Sequence, residues 1–362
     1  MNISIIGIGK LGLCLALNFE ASGYNVIGVD INEKYIESLN NKTFNSNEPS
    51  VNEFLLKSKN FKATNQIKEA LQNEIIFITV ATPSLESGKY DHSQINKLID
   101  EFIGLGKQDS KKYLIINCTV MPGYCEKMQN RLAPYNYEVC YSPEFIAQGS
   151  IIHDQQFPDT ILIGSSDEKA LNLLESTLKS ITKSEPKIHK MSLTEAEITK
   201  IALNCFLTTK IAYANMVGDI AIKTNCNPSK ILSAIGDDSR IGNKYLKYGF
   251  GFGGPCFPRD NKAFGLFCEE NGVYPHISYA TDQSNKSHLI HQVENTLKLN
   301  QEEITIKSVT YKPNSFILEE SQQLKYAFEL TERGISVIIE ENEFIVNKLK
   351  DLYGNRFKYI IK

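Results

Sequence analysis

No apolar run in the 362 residues reaches the length needed to cross a membrane. The chain opens on a strand-like stretch where a leader peptide would place a basic and then an apolar segment. A cytoplasmic protein with no membrane partner is therefore expected. Histidine is scarce, with six residues that form no HxxxH or triad-like spacing, which disfavours metal-dependent hydrolysis. The eight cysteines, at 14, 118, 125, 140, 205, 226, 256 and 268, lack metal-ligand spacing, so no metal site is expected. Without an export signal they should be reduced thiols. Neither sign of charge dominates: 39 Lys and Arg stand against 42 Asp and Glu, a formal net charge of −3, so no nucleic-acid partner is expected. There is no low-complexity linker. What remains is an ordinary globular composition, 42% hydrophobic and 22% charged, long enough for two or three domains.

The N-terminus carries the first positive signal. Residues 2–6 read as a short buried strand that runs into Gly7-Ile-Gly9-Lys-Leu-Gly12 and then an apolar helical pattern over 11–19. This is the strand, glycine turn and helix order of a dinucleotide-binding fingerprint. Gly7 would allow the tight turn, Gly9 the approach of a pyrophosphate, and Gly12 the packing of helix on strand. A second strand over 25–29 ends in Asp30, about 20 residues beyond the motif, where a carboxylate bonds ribose hydroxyls. Such an acid would repel a 2′-phosphate, so NAD is the expected cofactor rather than NADP.

Further strand-like runs at 74–80, 112–117 and 139–142 each end in polar residues. Their alternation with helical stretches predicts an α/β fold, with an N-terminal Rossmann-type doubly wound sheet. Ligands of such sheets bind beyond the carboxyl ends of the strands, which places Thr82, Thr119 and Glu144 near a cofactor or substrate. Residues 194–223 hold apolar side chains at helical spacing, with Gly218 the one glycine and no proline. They predict one long central helix whose stripe is core or a dimer face. Strands over 304–309, 335–339 and 357–361, with helices over 320–332 and 343–352, form a second, shortened Rossmann-like unit. The expected division is 1–190, cofactor binding; 191–295, central helical and dimerising; and 296–362, the shortened second unit.

The richest stretch runs from Arg240 to Asp260 and sets Cys256 among Gly249, Gly251, Gly253, Gly254, Pro255 and Pro258. Glycines permit positive φ and close approach of a ligand, and the prolines stiffen the loop on both sides of the sulfur. A thiolate held in one orientation suits covalent catalysis. Three pairs of polar residues stand four apart: Lys200 and Asn204, Cys256 and Asp260, Glu144 and Gln148. Taken singly, Lys200 and Asn204 would be solvated surface residues; projecting together from one helix face, they can stabilise a developing oxyanion.

On these residues the chain resembles the UDP-glucose/GDP-mannose 6-dehydrogenase family, above all its UDP-glucose branch. The resemblance lies in Arg240-Ile-Gly-Asn-Lys-Tyr-Leu-Lys and Gly251-Phe-Gly-Gly-Pro-Cys-Phe-Pro-Arg-Asp, supported by Val80-Ala-Thr-Pro, Cys118-Thr-Val-Met-Pro-Gly, Ser142-Pro-Glu-Phe-Ile and Lys200-Ile-Ala-Leu-Asn. It covers residues 1 to about 320. It implies oxidation of a sugar C6 alcohol to a carboxylate in two hydride transfers to NAD⁺. Cys256 would carry a thiohemiacetal and then a thioester. Lys200 and Asn204 would hold the C6 oxygen, Asp260 would position water or poise the thiol, and Glu144 would act as general base with Thr119 organising water. Gly7, Gly9, Gly12, Asp30, Lys34, Thr82 and Thr119 would bind the cofactor. Phe145, Ile146, Gln148, Tyr245, Lys247, Gly253 and Lys312 would line the nucleotide-sugar site. Arg240 would reach it from the partner subunit of a homodimer.

The chain departs from that pattern at four places. Gln148 stands where the family has a second glutamate, and an amide cannot accept a proton. Cys118 replaces a serine. Glu319 occupies an arginine position, reversing a charge near the expected phosphates. The region after 296 is short for the family's nucleotide-binding half.

Overall fold

The computed structural model describes every residue except Ala147 and Asn314. The chain divides into two units, Met1–Lys200 and Ile201–Lys362. The first is built on eight strands: β1 (Asn2–Ile6), β2 (Asn25–Val29), β3 (Phe61–Thr64), β4 (Ile75–Ile78), β5 (Lys112–Ile116), β6 (Tyr137–Tyr141), β7 (Thr160–Gly164) and β8 (Lys187–Met191). They lie in the order β3-β2-β1-β4-β5-β6-β7-β8. Each neighbouring pair is parallel apart from β6 and β7, which meet antiparallel at Tyr141 and Gly164.

Helices cover both faces, so the central strands are buried apolar runs. Along β4, successive side chains alternate between two cores. Ile75 and Phe77 join one with Ile3, Ile5 and Phe19; Ile76 and Ile78 join the other with Ile99, Phe102 and Ile116. The strand order reverses between β1 and β4. That switch point opens a crevice at the carboxyl ends of the strands. The fold class expected from the sequence is the one observed. Edge strands β3 and β8 carry charged and polar residues with no apolar run, and so leave little trace in the sequence.

A 31-residue helix, Leu193–Lys223, begins in the first unit and continues into the second. Gly218 marks its one special position. A Cβ there would lie 1.9 Å from the ring of Tyr248, which packs directly on the helix backbone. Helices Pro228–Gly236, Phe257–Glu270 and His276–Leu297 follow. The chain then forms β9 (Glu303–Ile306), β10 (Ser336–Glu341) and β11 (Lys358–Ile361), a parallel sheet in the order β11-β10-β9. Helices Gln322–Glu332 and Glu343–Tyr353 connect these strands and bury Ala327, Leu330, Ile345 and Leu349 against Val337 and Ile339. These elements make a second α/β unit. Among the described residues, no helix is long and apolar enough to cross a membrane.

Candidate active site

At the switch point the three glycines have distinct physical reasons. Gly7 turns the chain with φ +90°, and a Cβ there would fall 2.9 Å from Val80 N. At Gly12 a Cβ would meet Gly7 O at 2.4 Å, so glycine is what lets the Lys10–Ala21 helix sit close to the turn. A Cβ on Gly9 would meet nothing within 4 Å. Gly9 caps that helix without a side-chain acceptor, and its first turn has no acid, which leaves the amide groups available to an anion. At the end of β2, Asp30 accepts from Asn32 N at 3.0 Å through one carboxylate oxygen. Lys34 lies nearby in sequence and is exposed. These residues fit a dinucleotide.

Thr82, beyond β4, donates to Thr119 O, beyond β5, at 2.7 Å, so two expected site residues from different strands are joined. Glu144, beyond β6, is in irregular backbone, and its spacing to Gln148 is not a helical one; Ala147, between them, lies outside the described residues. Burial pushes the Glu144 carboxyl up to about 7, against hydrogen bonds from Gln155 and Asn117 and the attraction of Lys200. The Gln155 contact is 3.4 Å. Gln148 accepts from Lys10 Nζ at 3.2 Å, tying it to the glycine turn. Ile146 is half-buried beside it in sequence. Lys200 lies over the Phe145 ring, with Nζ 5.5 Å from the centroid. At 7% exposure each, Lys200 and Asn204 are buried, which corrects the expectation that either alone is a surface residue. Their partners are other buried polar groups and an aromatic face.

In the second unit, Cys256 is the cap of the Phe257–Glu270 helix, with Pro258 in its first turn. The sulfur-bearing residue is exposed, while Asp260, one turn on, is 0% exposed. The four-residue spacing is helical: Asp260 N donates to Cys256 O at 2.8 Å. Asn204 donates to Asp260 Oδ2 at 2.7 Å, and Arg259 Nε lies 3.4 Å from Oδ1. The cysteine therefore stands at the positive end of a helix whose first turn is locked by a buried amide–carboxylate contact.

The glycine run differs in detail from the sequence expectation. Of Gly249, Gly251, Gly253 and Gly254, Gly254 has positive φ, +79°, and the others do not. The small size of Gly251, Gly253 and Gly254 is demanded by protein neighbours, while a Cβ on Gly249 would meet nothing within 4 Å. A Cβ on Gly251 would lie 2.1 Å from Asn285 Oδ1, one on Gly253 2.2 Å from Glu320 O, and one on Gly254 2.4 Å from the Tyr311 ring. The same packing sets Lys312, whose Nζ lies 5.8 Å from the Tyr311 centroid, next to the cysteine loop's support. Glu319 is exposed. Tyr245 adopts φ +62°, an uncommon conformation for a non-glycine residue that concentrates at functional sites. Lys247 is exposed, as is Arg240, whose guanidinium pairs with Asp238 at 2.7 Å.

Comparison with known proteins settles the family. Residues 1–182 match the NAD binding domain of the UDP-glucose/GDP-mannose dehydrogenase family, and residues 194–287 match its central domain. The chain belongs to this family.

Its relatives include the UDP-glucose 6-dehydrogenase of Rickettsia felis, 30% identical over 99% of this chain and 82% of that protein. UDP-glucose 6-dehydrogenase TuaD of Bacillus subtilis is 30% identical over 86% of this chain and 70% of its own length. Among solved structures, a UDP-glucose dehydrogenase from Pyrobaculum islandicum superposes with a TM-score of 0.90 at 29% identity, covering 100% of this chain and 86% of that one. A UDP-D-ManNAc dehydrogenase from Pyrococcus horikoshii shares the fold, with a TM-score of 0.81 at 23% identity over 94% and 83% of the two chains. The family is one of NAD-dependent oxidoreductases acting on nucleotide sugars, and this chain is an enzyme of that kind.

Several supporting residues of this family member have no motif in the sequence. Glu197, fully buried on the long helix, accepts from Gly123 N at 2.6 Å and Cys125 N at 2.7 Å, fastening the helix to the segment after Thr119. Glu48, also buried, accepts from Gly149 N at 2.9 Å and Ile151 N at 2.8 Å and anchors the turn after Gln148. Partners this distant in sequence leave no local pattern. Gly218 alone, isolated in a helix, could have pointed to the Tyr248 contact.

Proposed function

We propose that the chain oxidises the C6 alcohol of UDP-glucose to the carboxylate of UDP-glucuronate in two successive oxidations. The observation that carries this is the Cys256–Asp260–Asn204 arrangement: a cysteine at a helix start, over a buried carboxylate held by a buried amide. Gly7, Gly9, Gly12, Asp30, Lys34, Thr82 and Thr119 would hold NAD⁺, which when bound would supply the two-electron acceptor for each oxidation.

After the first oxidation, the Cys256 thiolate adds to the C6 aldehyde and forms a thiohemiacetal. Lys200 and Asn204 hold the C6 oxygen as charge develops on it. The second oxidation leaves a thioester on Cys256, which water cleaves to free thiol and carboxylate. Glu144, held near neutral pH by burial, takes the proton from that water, with Thr119 orienting it. Gln148 holds the glycine turn through Lys10 and takes no proton. Phe145, Ile146, Gln148, Tyr245, Lys247, Gly253 and Lys312 line the nucleotide-sugar site, with region 191–295 central and 296–362 gripping the nucleotide.

The enzyme works as a homodimer in the cytoplasm. On the long helix Leu203, Phe206, Tyr213, Met216 and Ile220 form an exposed apolar stripe, Phe206 being 66% exposed, and a second copy covers it. Arg240 then enters the partner's site. The divergent C-terminal region, with Glu319 at an arginine position, favours a second substrate reading, another UDP- or GDP-hexose. Incubating the purified protein and NAD⁺ with UDP-glucose, UDP-N-acetylmannosamine and GDP-mannose, and following NADH, tests both. UDP-glucose should give the highest kcat/KM, and preference for another sugar would replace it.

A further inference from the structure

Residues 248–252 have no regular secondary structure, and side chains from two helices hold their backbone. From the long helix, Asn215 accepts from Gly249 N at 3.1 Å and donates to Phe250 O at 3.4 Å. From the His276–Leu297 helix, Asn285 accepts from Phe252 N at 2.9 Å and donates to Phe252 O at 3.0 Å. Between them stands His288, 3% exposed. Its Nε2 is 2.7 Å from Gly249 O, and its Nδ1 is 2.8 and 3.0 Å from the two carboxylate oxygens of Asp219. Gln292 fills the other lone pair of Gly249 O at 3.2 Å.

Both partners of the imidazole are acceptors. A neutral ring has a single N–H, so one of these contacts would set a lone pair against an oxygen at less than 3 Å. Filling both contacts therefore takes two protons in the pair, one on Nε2 toward Gly249 O and one shared between Nδ1 and the Asp219 carboxyl. The Tyr248 hydroxyl donates to Asp219 Oδ1 at 3.1 Å, and the Tyr248 ring meets the imidazole edge-on. His291, one turn further along, accepts from Asn295 through Nε2, and that atom stays 3.8 Å from Asp219, so it does not replace His288. Lys223 and Glu294 are the other charged groups lining the hollow beside the pair.

We propose that Asp219 and His288 are a positioning couple that sets residues 248–252 for nucleotide-sugar binding. The binding role rests on the function proposed above; the clamp itself does not. Neither residue touches the reacting atoms.

The test pairs kinetics with hydrogen exchange on the full-length protein, using His288→Gln and Asp219→Asn. Each variant should raise KM for UDP-glucose about tenfold, the worth of one charge-assisted hydrogen bond, with kcat within about threefold and KM for NAD⁺ unchanged. Amides of 248–253 should exchange about tenfold faster in the variants. Should His288→Gln not fold, Asp219→Asn still decides, and Tyr248→Phe should show a smaller change in the same direction. Unchanged protection and an unchanged KM for the sugar overturn the proposal. If the wild type oxidises no sugar, the functional assignment fails, and exchange alone upholds or rejects the clamp.

Discussion

Asn204 donates a 2.7 Å hydrogen bond to the carboxylate of Asp260, one helical turn beyond Cys256, and both residues are buried. This contact joins the long helix to the helix that begins at the cysteine. Asp260→Ala would strand the Asn204 amide and cost about 1–3 kcal/mol of stability. Asp260→Asn keeps the shape and removes the charge. It should change the melting temperature little, leave KM for the sugar near the wild-type value, and lower kcat by about 100-fold or more. Thermal melts and steady-state kinetics read these together; wild-type kcat in Asp260→Asn would remove the residue from the mechanism.

Glu144 gives a pH dependence with a definite sign. Its carboxyl is raised from the usual 4.5 to about 7 by burial, so the protonated form persists in the folded enzyme where the unfolded chain has already lost its proton. Below pH 4.5 the group is neutral in both states and carries no penalty. Between 4.5 and 7 the folded state loses stability from this group, to a limit of about 3 kcal/mol. Glu144→Gln should therefore be stabilised relative to wild type above pH 7, and the advantage should vanish near pH 4. As a base the residue must be ionised, so wild-type kcat should rise with pH through a midpoint near 7. Glu144→Gln should lose about 100-fold or more. A flat kcat profile over pH 5.5–8 would count against the assignment.

At the end of β2, Asp30 keeps one carboxylate oxygen on Asn32 N. The proposed cofactor role makes its charge the barrier to a 2′-phosphate. Asp30→Ala should lower the ratio of kcat/KM for NAD⁺ over NADP⁺ at least about tenfold, or about 1.4 kcal/mol. Equal use of both cofactors by the wild type would reject the role.

Arg240 pairs with Asp238 at the surface of its own chain. The dimer proposed above brings it to the partner's site. Arg240→Ala and Cys256→Ala should each be inactive alone, and mixing them should restore up to about half of wild-type activity in verified mixed dimers, which hold one intact site of two. No recovery would reject a shared site.

Much of the fold was legible because local pattern and global role coincide. Gly7, Gly9 and Gly12 announce a turn in which Gly7 and Gly12 each have a separate steric reason in the structure. The buried runs of β1, β4 and β5 announce a covered sheet. The cysteine loop was visible as a composition, but Gly251, Gly253 and Gly254 answer to Asn285, Glu320 and Tyr311, which stand far along the chain. Lys200 and Asn204 were legible as a pair and misleading singly, since burial is decided by tertiary partners rather than residue type. Glu197, Glu48 and the Asp219–His288 pair were invisible for the same reason: each works by bonding a backbone or side chain from a distant segment.

The central claim is the double oxidation through Cys256. The most direct measurement is the number of NADH molecules formed per UDP-glucose consumed, with the sugar product identified, in wild type and in Cys256→Ser. The wild type should give two NADH and UDP-glucuronate, and Cys256→Ser should stall at the aldehyde after the first oxidation or trap an ester after the second. One NADH with a released aldehyde from the wild type, or undiminished turnover in Cys256→Ser, would contradict it.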